Sequence, residues 1–419
     1  MEPRVVLSAS PHVLGGPFNY HPIRPNTPVL PYGAAANIAT YIDTTAQIRS
    51  GKTIVVNAKT YIAPYARLDG TGGYIKIGQN SVIQDTASLV ANPSHVRGNP
   101  GIVIGNGVVV GNGALVRGNS SIGAVGSAAL PTAIGANAVI DGATIEPGAI
   151  VGTLARVGPG VTVPSGFRVL PGANVTTDAQ ASNPALGKVV AVTKAETGEI
   201  QQQLYQSAAL ASGYTALYET NSATGASVGN VARGVYKGSL ALVEGAGPEP
   251  GSPTVPFEPS QRSPTFPSPR GRAIQTLTPQ LRGRIIGNVH FASRLRDVAH
   301  SLGRGDSIRA DEGQPIHIGL NPRFGNNVSI TAPLSGGVTI GQNFTAGNNS
   351  VVLGGPTTPA KFGDGVTLGN SSVVEQSTLG NNVTIGASAY VSQSTIPDGV
   401  TIPDNAIIIH NVLVGTVGA

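Results

Sequence analysis

Seven histidines and a few arginine–carboxylate clusters are the residues of this sequence that could do chemistry. Cysteine is absent, which excludes disulfides, thiolate metal sites and thiol nucleophiles. The histidines are scattered. His12 and His21 lie in a Pro-rich N-terminal stretch, and His95 sits in the loop sequence ANPSHVRGNP. His290 and His300 are ten positions apart on an expected helix, so they fall on different faces. His317, in PIHIG, alternates outward on a strand, and His410 closes the last coil. The charged clusters are better patterned: Arg67 with Asp69, Gln84 with Asp85, and Arg309 with Asp311 and Glu312. Such groups can form charge-assisted, bidentate ion pairs. Glu312 and Gln84 are the candidates for a catalytic role. The sequence contains no P-loop.

The elements that must position these residues are set by an aliphatic residue at every sixth position. Ile77, Ile83 and Leu89 keep that interval, as do Ile104, Val110, Val116 and Ile122, and Val151, Val157, Val163, Val169 and Val175. It returns at Phe362, Leu368 and Val374, then Leu379, Ile385 and Val391, then Ile396, Ile402 and Ile408. A six-residue interval marks a parallel β-helix, in which coils stack to bury apolar edges that none could bury alone. High Gly and scarce aromatics fit narrow coils with tight corners. The expected fold is mainly β: two parallel, left-handed β-helix solenoids with accessory α-helices and a Pro-rich linker.

Four regions are expected. Residues 1–40 form an irregular arm, and 41–225 a first β-helix plus a helix. Residues 226–285 form a linker with Pro at nearly every third or fourth position over 245–270. A second β-helix domain with a preceding helix occupies 286–419. The periodicity predicts helices over about 195–220, through Ile200, Leu204, Ala208 and Ala211, and over 289–302, through Phe291, Leu295, Val298 and Leu302. These helices could cap a solenoid end or, more commonly, pack along a face. Residues 118–133 read as a loop insertion or an irregular coil.

The net charge of +5 is small for this length, and its basic segment lacks aromatic interleaving, so no nucleic-acid partner is expected. No stretch reaches membrane-spanning length. The residues MEPRVVLSASPHVLGG hold no apolar run of signal-peptide length, so a cytoplasmic location is expected, with export as the alternative.

Two stretches go beyond the repeat. SIRADEGQPIHIG (307–319), and ARLDG (66–70) followed by NSVIQD (80–85), resemble the Arg-x-Asp and Gln-Asp elements of γ-class carbonic anhydrases. VPSGFRVLPGANVTT (163–177), the helix ending in ALASGY, and STIPDGVTIPDNAIII (394–409) resemble that family's closing coils and terminal helix. The resemblance implies two tandem copies, over about 41–220 and 305–410. It also implies a homotrimer in which Arg67, Asp69 and Asp85, and Arg309 and Asp311, make interface ion pairs. The family's zinc needs three histidines and an open fourth position. The matching positions hold Val90, Asn112 and Arg117 in the first copy and Thr331, Asn348 and Leu353 in the second. No cofactor is therefore expected; zinc would bind only if this alignment were wrong. The Gln-Asp pair of the first copy is replaced by Gly325 and Asn326 in the second.

Three functions follow. The first is a non-catalytic structural, assembly or binding protein of γ-carbonic-anhydrase type. The second is an enzyme, either a hexapeptide-repeat acyltransferase or a carbonic anhydrase with atypical ligands. The acyltransferase requires a groove with a histidine base, for which His317 or His95 would have to serve. The third is an extracytoplasmic adhesive solenoid, suited by low charge and abundant Asn, Thr and Gly. A deep cleft carrying a histidine separates the acyltransferase from a scaffold.

Overall fold

A computed structural model of the chain describes residues 39–91, 101–124, 130–223 and 283–418, with short gaps at 44, 50–52, 58, 288, 294, 313, 334–335 and 356–357. Strand segments at 21–22 and between 231 and 275 are also described. The chain is mainly β and falls into two compact units, each built on one parallel β-helix. All positions of the six-residue interval are buried in one of two hydrophobic clusters, one per unit. Full burial of one such aliphatic side chain is worth about 1.5–3 kcal/mol.

The first solenoid has three faces. One runs from Ala39–Ile42 through Val82–Ile83 to Phe167–Val169, the next from Gln47–Arg49 to Asn174–Val175, and the third from Ile54–Val56 to Thr162–Val163. Neighbouring coils pair in parallel and in register, so each face carries straight columns of side chains. The region 118–133 is an irregular coil: Ser120–Ile122 and Thr132–Ile134 are strands in the ladders, and 125–129 lie outside the described residues. A short helix, α1 (Asp178–Ser182), follows the last coil, with the Thr177 hydroxyl accepting from the Gln180 amide.

The expected helix near 195–220 is α2 (Lys194–Ala223). Its start is a capping box: Thr193 Oγ1 accepts from the Glu196 amide, and Glu196 accepts from the Thr193 amide at 2.7 Å. Glu196 also pairs with Arg168 at 2.5 Å, which ties the helix to the last strand of the first face. Ile200, Leu204, Ala208 and Ala211 are buried, and α2 lies along that face beside the outward column Tyr41, Tyr61, Val82 and Val109.

In the second solenoid, the first face runs from Arg284–Gly287 through Ser307–Ala310 to Ala406–Ile409, and the second from Val289–Phe291 through Ile316–Ile318 to Thr395–Ile396. The third starts only at Arg323–Phe324 and ends at Thr401–Ile402. Early coils are 22 residues long and later ones 17. The extra residues lie between first and second faces, after Ala310, Thr331 and Leu353. At the corners, Asn321, Asn327, Asn343, Asn349 and Asn382 take positive φ, and side-chain amides bond from coil to coil. Inside, Phe344 packs edge-on against Phe324 and tilted against Phe362, with ring centroids 6.0 Å apart in each pair.

Three expectations need correction. The helix expected over 289–302 is half strand: Val289–Phe291 pairs in parallel with Ile316–Ile318, and only Leu295–Ser301 (α3) is helical. Phe291 has the helical spacing, but the ladder satisfies its backbone and buries its ring fully. The second solenoid therefore begins at Arg284 rather than near 305. The expected linker over 226–285 contains ladder strands. Val231–Arg233 adds antiparallel to Ala39–Tyr41, and Val235–Lys237 to the strand Ile54–Val56. They cover the first coil's open edge; Val189–Ala191 covers the last strand of the first face. In the second solenoid His21–Pro22 and the unassigned tail Val412–Thr416 do the same. The rest of the N-terminal arm, the Pro-rich segment 245–264, His12 and His95 lie outside the described residues.

Candidate functional site

In the first solenoid, Val90 and Arg117 occupy one outward column, directly in register, below Asp69 and above Asp141. Arg117 pairs with Asp141 at 2.7 Å, so the cation is balanced along the column. Val90 has no donor atom, and Arg117 carries a positive charge. This column does not fit a zinc ion. Asn112, Gln84 and Asp85 are buried at one corner, on successive coils, where the Gly113 amide donates to the Asp85 carbonyl. Asp69 accepts from Arg67 at 2.5 Å and from the Thr71 hydroxyl at 2.6 Å. Burial alone would raise its pKa, but the bonds from Thr71 and Arg67 prevail and hold it down at about 2.

In the second solenoid Thr331 and Leu353 share a column with Arg309. Asn348 is exposed at a corner, where its amide and carbonyl groups join a ladder from Asn326 to Asn370. These positions do not fit a zinc ion either. Arg309 is buried, bonded to Asp311 at 2.9 Å, with Glu312 at 3.6 Å. Both arginine–aspartate pairs close within one chain. Nearby, the fully buried Asp306 accepts from the amides of Gly303 and Val328. Burial outweighs those bonds and pushes its pKa up to about 7. Among the described residues, no group of three or more His, Cys, Asp and Glu could hold a metal ion.

The feature that sequence reasoning missed is a cleft. In the first coil α3 stands, in chain order, where later coils place their third-face strand. Between α3 and the corner leading into Arg323–Phe324 lies an open cavity of about 720 Å³. Asp297, His300 and Ser301 line it from the helix, Asn321 and Arg323 from the corner, and Asn343 and Thr345 from the next coil. Asp297 and His300 are one turn apart, so they share a helix face. The sequence signal was present in the i, i+3 spacing of Asp297 and His300. It was hidden by the helix boundary set too early, which placed His290 and His300 on one helix.

His290 is on the strand Val289–Phe291, in register with His317 on the neighbouring coil. Their ring centroids are 4.9 Å apart. Burial lowers the pKa of each, and the charge of His290 lowers that of His317 further.

Residues 376–415 match the family model for the hexapeptide repeat of succinyl-transferase. No curated protein matches the chain in sequence. Among solved structures, a hexapeptide transferase family protein from Anaplasma phagocytophilum is 20% identical over 41% of this chain and 91% of its own, with a TM-score of 0.31. A UDP-N-acetylglucosamine acyltransferase from Campylobacter jejuni is 12% identical over 88% of this chain and 72% of its own, with a TM-score of 0.17. The family-model match falls on the last coils of the second solenoid, from Thr378–Leu379 to Ala406–Ile409. Among the described residues, no helix is long and apolar enough to cross a membrane.

Proposed function

We propose that the chain is a hexapeptide-repeat acyltransferase whose reaction cleft lies between α3 and the first corner of the second solenoid. One observation carries this reading: His300, Asp297 and Arg323 line a single cleft of about 720 Å³, large enough for a small-molecule substrate. The His300 imidazole takes the proton of an acceptor hydroxyl or amine, whose oxygen or nitrogen attacks the carbonyl of an acyl thioester. The carbon–sulfur bond breaks, and the thiolate recovers the proton from His300. Asp297, on the same helix face, supplies negative charge for the transient imidazolium. Arg323 offers a fixed cation to an anionic group of donor or acceptor.

The test is thiol release from acetyl- and succinyl-coenzyme A across a panel of amine and hydroxyl acceptors. The protein has no cysteine, so a thiol reagent reads only the product. His300→Ala should lower kcat/KM by about 10²–10⁴-fold, the range for loss of a general base. Absence of release with every donor, or full activity in His300→Ala, overturns the reading.

The first solenoid supports a second role, a non-catalytic assembly module of γ-carbonic-anhydrase type that forms a homotrimer. Its favouring observation is the Arg117–Asp141 pair standing at the aligned metal position. Light scattering on the full chain tests it: a trimer is expected, and a monomer removes this role.

A further inference from the structure

We infer that His290 and His317 form a two-histidine site for a divalent transition-metal cation of the zinc or copper class. The argument begins with register. The two residues are Cα partners on adjacent parallel strands, so their side chains leave the same face of the sheet at strand spacing. Their rings are 4.9 Å apart between centroids and inclined by 31°. That separation lets one ion accept a nitrogen from each ring with small rotations. Imidazole suits both zinc and copper, whereas the oxygen-seeking calcium and magnesium have no carboxylate in this pair.

The column beyond the pair contains Thr339 and then Lys361, which is exposed. No described carboxylate follows in this column. The site is separate from the cleft, where His300 is the only histidine among the lining residues.

Binding would clamp the strand Val289–Phe291 to Ile316–Ile318 and so reinforce the first coil of the second solenoid. The test is calorimetric titration of the full chain with Zn²⁺ alone and with Cu²⁺ alone, with hydrogen exchange followed over 289–291 and 316–318. One equivalent should bind, with slower exchange in both strands. Either His290→Ala or His317→Ala should weaken binding at least about 100-fold, since even loss of an outer partner of a metal ligand costs 10–100-fold. His410→Ala should leave it unchanged. Should an alanine variant fold poorly, His290→Gln and His317→Gln serve in its place. No saturable binding, or binding that survives both substitutions, overturns the inference.

Discussion

The two solenoids share one backbone plan and differ in what that plan leaves free. In both, one face carries strand triplets whose middle residue points inward and is aliphatic, as in Leu89, Val116 and Ile140 of the first or Ile330, Val352 and Val374 of the second. The outward columns diverge. The arginine of the first solenoid, Arg67, has a side chain 37% exposed, whereas that of Arg309 is 2% exposed. The second solenoid stacks three phenylalanines in its core, where the first packs Val, Ile, Leu and Ala. The second also gives up one strand for α3 and so gains a cleft. Stacking constrains the inward column because any error there is felt by two neighbours. The outward columns answer only to solvent and to packed helices, and there the two domains differ.

The comparison is most severely tested where burial differs most. Phe344→Ala should cost about 3–5 kcal/mol, the range for removing a buried aromatic ring. Arg309→Met, which leaves Asp311 and Glu312 buried without their cation, should cost about 3–5 kcal/mol. Denaturant unfolding of the full chain gives these values, and hydrogen exchange assigns the loss to the second solenoid. An effect of intermediate size comes from pH. Between pH 4 and 7 folded Asp306 holds a proton that the unfolded chain has released, so the second solenoid should lose stability as pH rises through that window. Asp69 acts in the opposite sense. Its contribution is complete above about pH 4 and disappears as pH falls toward 2. Exchange rates corrected for intrinsic chemistry should show these opposite slopes in the two domains; parallel slopes would remove the distinction. The smallest effects belong to the first solenoid. Ile83→Val should cost about 0.5–1.5 kcal/mol, and Arg67→Met at most about 1 kcal/mol, since solvent screens its pair. An Arg67→Met loss equal to that of Arg309→Met would show that exposure is not what separates them.

The coils were legible because a six-residue interval is a local pattern, and stacking keeps it in place. So was α2. The cleft and the histidine pair were not. His290 and His317 meet only because the coil joining them carries α3 in place of a strand and still returns in register. No local spacing encodes that. Val289–Phe291 could satisfy either a helix or a strand, and the choice was made by Ile316–Ile318 next to it. The strands 231–237 were read as linker because the first-coil strands they join, Ala39–Tyr41 and Ile54–Val56, lie almost two hundred residues earlier.

The even register of the last coils has a consequence for how this chain can change length. Thr378 and Thr395 occupy the same place on successive turns, as do Thr384 and Thr401. Excising 378–394 would join Ser377 to Thr395 with every remaining ladder partner renewed by its neighbour one turn away. The late turns thus behave as interchangeable modules, while the tail strand Val412–Thr416 acts as a fixed terminus. The domain can be lengthened or shortened there by whole turns, with α3 and its cleft at the other end left as they are.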